Sequence, residues 1–472
     1  MSLRVPRHCA DAARSAVSHR ATATVNAPSR ARFVGASPSW PPLANRVRHR
    51  IRSIGGVLRG RLAFAVLACT YLGTLLICRM SNLIPRERWT PTRRIAMTAT
   101  FFNSQWFVSH VLPLTLSGVS EVVVVTDRPV VALPGVRFWC PPAWTQRVMG
   151  RAISKGSALL ACGLSLKPDV FVGFHLFPGA VSALIVARLF GRPACYEMTG
   201  GPTEVVGGGV YAENALLTML GRPSVLIEKL ALAVVRQFDL VVVRGTKAQK
   251  FLTHRGVRPV TAITGSVACP TEPEPSARTY DLVFVGRLAP IKQPMQFIDI
   301  VADVRRTLPA TRVAVVGDGP LLEPARAHAA ALGLDKAIDF LGSIHDAHRV
   351  LIRSKLFVLT SRSEGLSIAM AEAMAAGVVP IVADVGDLGD LVINGVTGFL
   401  VTPDDVTEFA RRAVMLLQDE RMWARQSQAA AAAALRHSSV EAVTAKWIRS
   451  FSRLVPDLTN PSTATAGGDT RG

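Results

Sequence analysis

Two hydrophobic rhythms organise this chain. Short runs at residues 95–99, 122–126, 169–174, 192–197 and 240–244 read as strands, and 122–126 (VVVVT) is β-branched and continuous rather than alternating. That pattern predicts strands covered on both faces of a sheet. Stretches of helical spacing separate them, including 181–189 and 225–236. A second series begins after residue 279, with strands expected at 282–285, 312–316, 337–341, 356–359 and 379–382 and helices at 295–307 and 321–332. Strands alternating with helices predict βαβ units and parallel sheets. Between the series, residues 268–278 are rich in proline and read as a linker. The expected fold class is therefore α/β, with two Rossmann-like domains, 93–270 and 279–436, facing across a cleft. Ligands of such sheets bind at the carboxyl ends of the strands. Residues 440–454, within a segment 437–455, place Val443, Trp447, Phe451 and Leu454 at helical spacing.

The ends of the chain follow neither rhythm. Residues 1–61 are rich in Arg, Ala, Ser and Pro and are expected to be disordered, or to be a transit peptide. The run 62–78 is uncharged and lies between Arg61 and Arg79. As a helix it covers about 25 Å, somewhat less than the roughly 30 Å of a hydrocarbon core. A span, an interfacial helix and a buried helix all fit. Basic residues on both sides leave the orientation open. Met80 is an alternative start. We group 1–92 as a basic extension and 456–472 as a disordered tail.

Composition narrows the classes. At 472 residues the chain has room for two or three domains, and 49% apolar with 18% charged residues suits globular cores. Seven scattered cysteines without a C-x-x-C pair argue against zinc and against a disulfide framework, and for a reducing compartment. The net charge of +21 comes largely from arginines before residue 62, opposed there only by Asp11. No RNP, zinc-finger or helix-turn-helix pattern accompanies it. The charge thus points to an anionic membrane surface rather than to nucleic acid.

Candidate chemistry gathers between residues 286 and 401. A strand runs into Gly286-Arg287-Leu288-Ala289-Pro290-Ile291-Lys292, placing two cations in a glycine-started loop. Close backbone approach and counter-charge are what phosphate binding needs, although two solvated surface cations would read the same. Gly317-Asp318-Gly319-Pro320 is good turn chemistry in its own right. Residues 361–367, SRSEGLS, follow a strand and open the helix IAMAEAMAAG. Glu364 precedes that helix, whose amino terminus presents free amides. Glu372 lies within it among Ile, Ala, Met and Gly, where a carboxylate is costly unless hydrogen-bonded; ribose hydroxyls would satisfy it.

With these motifs in order, residues 281–402 resemble the donor domain of family 4 glycosyltransferases, a large retaining family of the two-Rossmann-domain (GT-B) type. The matching stretches are VGRLAPIK, VVGDGP, FLGSI, SRSEGLSIAMAEAMAAGVVPIVAD and INGVTGFLV. The resemblance implies a nucleotide diphosphate (NDP)-sugar donor. It implies Arg287 and Lys292 on the diphosphate, Glu364 with the amides of Gly365, Leu366 and Ser367 on the transferred sugar, Glu372 on the ribose, and Ser343 and Ile344 near the base. Residues 95–268 resemble the family more loosely, through KPDVFVGFHLFPG, and this implies that His175 faces acceptor and reacting sugar. Where the family often has a Gly-Gly loop, this chain has Phe101-Phe102-Asn103-Ser104-Gln105. The glycine-rich stretch 199–209 is expected to be a mobile acceptor-side loop. The last helix is expected to cross back to the first domain through Trp447 or Phe451.

The activity so implied is retaining hexosyl transfer to a glycan or polyprenyl-linked acceptor in cell-surface polysaccharide synthesis, without metal or cofactor. No acceptor-side carboxylate nucleophile stands out, so the family's front-face attack is expected rather than a glycosidase-like double displacement. A nucleotide-sugar 2-epimerase, a phosphorylase and a non-catalytic nucleotide-sugar-binding protein share the same plan. The expected location is cytoplasmic and peripheral on the inner face of the membrane, with a single anchor at 62–78 as the alternative.

Overall fold

The structure, a computed structural model, describes residues 43–83, 92–101, 103–212, 214–268, 278–344 and 346–458. Expectations about residues 1–42, most of the linker 268–278 and the tail beyond 458 lie outside the described residues.

A helix α1 (Leu43–Ser81) comes first. The first domain then runs β1 (Arg94–Thr98), α2 (Ser104–Thr115), β2 (Glu121–Val125), β3 (Val136–Trp139), α3 (Ala143–Leu166), β4 (Val170–Phe174), α4 (Val181–Leu189), β5 (Ala194–Met198), α5 (Ala215–Thr218), α6 (Val225–Val235), β6 (Leu240–Val243), α7 (Thr246–His254) and β7 (Val260–Ala262). The second runs β8 (Tyr280–Val285), α8 (Pro294–Thr307), β9 (Val313–Val316), α9 (Leu322–Ala331), β10 (Ile338–Gly342), α10 (His348–Leu351), β11 (Ser354–Leu359), α11 (Ile368–Ala375), β12 (Val379–Ala383), β13 (Phe399–Val401), α12 (Val406–Gln418) and α13 (Glu420–Ser438), with α14 (Val440–Leu454) last. The sheets are ordered β3-β2-β1-β4-β5-β6-β7 and β10-β9-β8-β11-β12-β13. Every pairing between these strands is parallel.

Both faces of each sheet are covered, which is why the strands read as unbroken apolar runs. In β2, Val123 and Val125 enter the cluster under α1, α3, α4 and α6, while Val122 and Val124 enter the cluster with Phe107, Trp447 and Phe451. The same split in the second domain places Leu282 and Phe284 of β8 on one face and Val283 on the other. Helix α14 lies on the first domain: Val443, Trp447 and Phe451, each four residues apart, are buried against Ile95, Phe107 and Val111. Ser439 caps it through the amide of Ala442. The last helix in sequence thus ties the two domains together.

Helix α1 differs from the expectation for residues 1–61, because it begins at Leu43, ahead of the apolar run. Residues Gly56–Ser81 are long and apolar enough to cross a membrane. Ala63, Leu67, Tyr71, Thr74 and Cys78 form one buried stripe of this helix, packed into the first domain's core. Leu58, Leu62, Leu72, Leu76 and Met80 are exposed. Spacings of three and four residues explain how one apolar helix shows a packed face and a bare one. Residues 214–236 form two helices, α5 and α6, separated at Gly221 (φ +71°) and Pro223. Ile227, Ala231, Val234 and Val235 face the core, and Val225 and Leu226 are exposed.

Candidate functional site

On the second-domain side, β8 delivers the loop that carries Arg287 and Lys292. Arg362 N donates to Ile291 O at 2.9 Å and so pins this loop to the one carrying Glu364. Lys292 Nζ forms an ion pair with Glu364 Oε1, and Ser361 Oγ donates to the same oxygen at 2.6 Å. Gly317 (φ +138°) packs against this loop so closely that a Cβ would lie 1.9 Å from Gly286 O, which only glycine permits. Asp318 accepts from the amide of Gly319 at 2.6 Å, a local turn bond.

Helix α11 is capped by Ser367, whose hydroxyl accepts from Met370 N at 3.3 Å. Leu366 is buried in the second-domain core, and Ile344 packs partly against the same cluster. Ser343 is exposed just after β10. Glu372 lies partly buried on α11; burial first, then the charge of Asp346, raises its carboxyl to about 7.

On the first-domain side, β4 ends at Phe174 and the chain turns through His175, held at φ +54°. His175 Nδ1 lies 3.1 Å from Glu204 Oε1. Glu204 also accepts from Gly200 N (2.6 Å), Leu176 N (2.8 Å) and Tyr196 Oη (2.8 Å). Burial works against the charged imidazole, but the charge and hydrogen bond of Glu204 outweigh it and raise the pKa of His175. The Trp106 ring stacks on His175 at 6.4 Å between centroids. Phe101 packs on Trp106, Phe107 and Phe174. Phe101, where the family often has a Gly-Gly pair, is therefore part of a packed aromatic wall with Trp106, Phe107 and Phe174. Asn103 caps α2 through Trp106 N at 2.7 Å. The glycine-rich stretch 199–209, expected to be mobile, is folded into two tight turns with Gly201, Gly207 and Gly208 buried.

These two sides share one cleft of about 450 Å³, whose lining includes Lys155, His175 and Gly200 from the first domain and Lys292, Glu364 and Gly365 from the second. Arg287, Ser343, Ile344, Leu366, Ser367 and Glu372 lie outside that lining. The sides are closely apposed: a Cβ on Gly365 would lie 2.9 Å from Thr199 O. Asp387 caps α7 across the interface, accepting from Lys247 N (2.7 Å) and Ala248 N (3.1 Å). Asp390 accepts from Thr246 N (2.6 Å), and Lys247 Nζ pairs with Asp384 at 3.0 Å. Sequence reasoning missed Glu204, Lys155 and Asp387. Only Glu204 left a signal, a lone acid in a glycine-rich loop of a basic half.

Comparison with known proteins agrees with this geometry. Residues 272–433 match the family of glycosyl transferases group 1. The chain is 33% identical over 150 residues to the Vi polysaccharide biosynthesis protein VipC/TviE of Salmonella typhi, covering 30% of this chain and 26% of that protein. It is 27% identical over 305 residues to a glycogen synthase of Mycobacterium tuberculosis, covering 60% and 70%. It is 30% identical over 145 residues to the UDP-Gal:alpha-D-GlcNAc-diphosphoundecaprenol alpha-1,3-galactosyltransferase of Escherichia coli, covering 30% and 38%. The matched region thus spans about a quarter of the first of these relatives and over a third of the last. Among solved structures, Anabaena Alr3699/HepE in complex with UDP-glucose shares the fold, with a TM-score of 0.60 and 18% identity over 76% of this chain and 100% of that one.

Proposed function

We propose, from the match of residues 272–433 to glycosyl transferases group 1, the following activity: transfer of a hexosyl group from an NDP-sugar, with retention of configuration, to a glycan or polyprenyl-linked acceptor in cell-surface polysaccharide synthesis. One observation carries the reading. The Lys292–Glu364 pair and the His175–Glu204 pair line opposite sides of one cleft between two parallel sheets.

Transfer breaks a glycosyl–phosphate bond, and charge builds on the leaving diphosphate. Lys292 and Arg287 are the cations assigned to it, and cations fixed in advance there stabilise the transition state. They supply this counter-charge without a metal, so transfer is expected to persist in a chelator. Glu364, with the amides of Gly365, Leu366 and Ser367, is assigned to the sugar, and Glu372 to the ribose. Ser343 and Ile344 are assigned to the base. His175 faces the transferred sugar. Anabaena Alr3699/HepE was solved with UDP-glucose, which makes uridine the first base to test.

The acceptor reading draws on the Escherichia coli relative, whose named substrate is a diphosphoundecaprenol. The bare apolar face of α1, with exposed Arg59, Arg61 and Arg79 along it, supports peripheral attachment to an anionic leaflet on the cytosolic side, where nucleotide sugars are made. The chain is assayed with UDP-, GDP- and ADP-sugars for release of the nucleotide diphosphate, with and without a lipid-linked acceptor. Acceptor-dependent release from one donor is the expected result. A 2-epimerised nucleotide sugar, or binding without turnover, would overturn the reading.

A further inference from the structure

Glu204 is the most completely engaged acid on the first-domain side. Its side chain is 4% exposed. Oε1 meets Gly200 N and His175 Nδ1, and Oε2 meets Leu176 N and Tyr196 Oη. A carboxylate offers about four acceptor sites, so donors take up its whole capacity. They come from β5, from the residue after His175 and from the loop at Gly200, all of which converge on this one group. Two buried phenols enclose it. Tyr196 belongs to β5, and Tyr71 reaches the site from α1; burial and then the charge of Glu204 raise the pKa of the Tyr71 phenol.

This arrangement dictates the state of His175. An ionised carboxylate only accepts, so the Nδ1 facing it carries the proton. Nε2 is then the ring nitrogen left for a ligand; Thr199 Oγ1 lies against the ring edge, 3.0 Å from Nδ1 and 3.2 Å from Nε2. His175 lines the cleft, and 42% of its side chain is exposed.

We propose that Glu204 is a positioning residue for the transfer reaction: it fixes the His175 ring with Nδ1–H donated inward and holds its positive charge, so that Nε2–H is offered to an oxygen of the transferred sugar. This rests on the transferase reading above. The other charged and titratable groups around the ring are Glu197 on β5 and Arg244 after β6, which pair with each other, and His110 on α2. Lys155, paired with Asp127, and Lys292 and Glu364, paired with each other, line the same cleft. Glu204 is the one carboxylate bonded directly to the ring among the described residues.

The test compares Glu204→Gln, His175→Ala and the double variant, measuring kcat and donor KM against pH with the donor that the panel identifies. Glu204→Gln should lower kcat about 100-fold with little change in donor KM. Its alkaline limb should move down by about one pH unit, because the neighbouring anion is lost. In the His175→Ala background the same change should alter kcat by less than about twofold, since Glu204 acts through His175. Losses that multiply in the double variant, or an unmoved alkaline limb, would overturn the proposal. If Glu204→Gln does not fold, Tyr196→Phe serves instead: with one donor fewer the carboxylate holds the imidazolium more strongly, so the limb should move up, and no movement or a downward one counts against the proposal. Nitrogen NMR of the imidazole, without substrate, should show Nδ1 of His175 protonated at pH 7. An unprotonated Nδ1 overturns this assignment whatever the assay shows, whereas a wild-type protein that turns over no nucleotide sugar overturns the transferase reading instead.

Discussion

Glu372→Gln separates stability from function at a single side chain. The native carboxyl is raised to about 7, with burial as the main cause and the charge of Asp346 second. The unfolded chain ionises near the ordinary value of about 4.3. The native state therefore holds its proton more tightly. Neutral Glu372 costs nothing below the unfolded pKa, and ionised Glu372 destabilises the fold increasingly as pH rises towards 7. At roughly 1.4 kcal/mol per unit, the cost reaches about 3.5 kcal/mol at pH 8.5 and falls to about 1.5 kcal/mol at pH 5.5. The glutamine variant carries no such charge, so chemical denaturation should find it more stable than wild type at pH 8.5, with the gain shrinking at pH 5.5. Ribose hydroxyls donating to the carboxylate would pull its pKa back down. Affinity for the nucleotide should then rise with pH, about a hundredfold between pH 5 and pH 8 by the same linkage. Calorimetric titration of UDP into both proteins reads this directly. A stability difference that does not change with pH would refute the burial argument. A glutamine variant that binds UDP as tightly as wild type at pH 8 would refute the ribose role.

Other outcomes follow from the same structure. Lys292→Ala or Arg287→Ala should lower transfer by about two orders of magnitude or more with the fold intact, because a charged partner of the diphosphate is lost; circular dichroism and turnover check the two halves of that statement. Trp447→Ala should destabilise the protein by about 3–5 kcal/mol, read in urea denaturation, because it empties a fully packed site between α14 and the first sheet. A chain starting at Met80 loses Ala63, Leu67 and Tyr71 from the first-domain core and should be less stable than the full chain, whereas a detachable anchor would leave stability unchanged. The full chain should bind anionic liposomes at low salt and release at high salt; pelleting that salt does not reverse would make α1 a span.

The parallel sheets were legible because strands buried on both faces leave runs such as Val122–Val125 that no surface position interrupts. Helices α4 and α14 have the bounds that their apolar spacing predicts, residues 181–189 and 440–454. The edge strands of the first sheet, β3 and β7, were not legible. In β3, Val136–Trp139 is half-exposed and its pattern is weak, and α3 carries Gly150 at φ +77° where two helical pieces join. The second-domain loops announced themselves through local spacing, since glycines and charges lie within a few residues of each other. The first-domain side did not. Glu204 meets His175 across 29 residues of chain, and Asp387 meets Lys247 across 140, and periodicity carries no information at such separations. The packed stripe of α1 is a third case: an uncharged, mostly apolar run looks the same whether lipid or protein covers it.

The most direct measurement of the central claim follows one reaction by NMR, with the donor labelled at the anomeric carbon and a polyprenyl-linked acceptor present. The account predicts one nucleotide diphosphate released per sugar transferred, a product with the donor's anomeric configuration, and transfer slowed by about two orders of magnitude or more with Lys292→Ala. Release of a sugar phosphate, inversion at the anomeric carbon, or undiminished transfer by Lys292→Ala would contradict it.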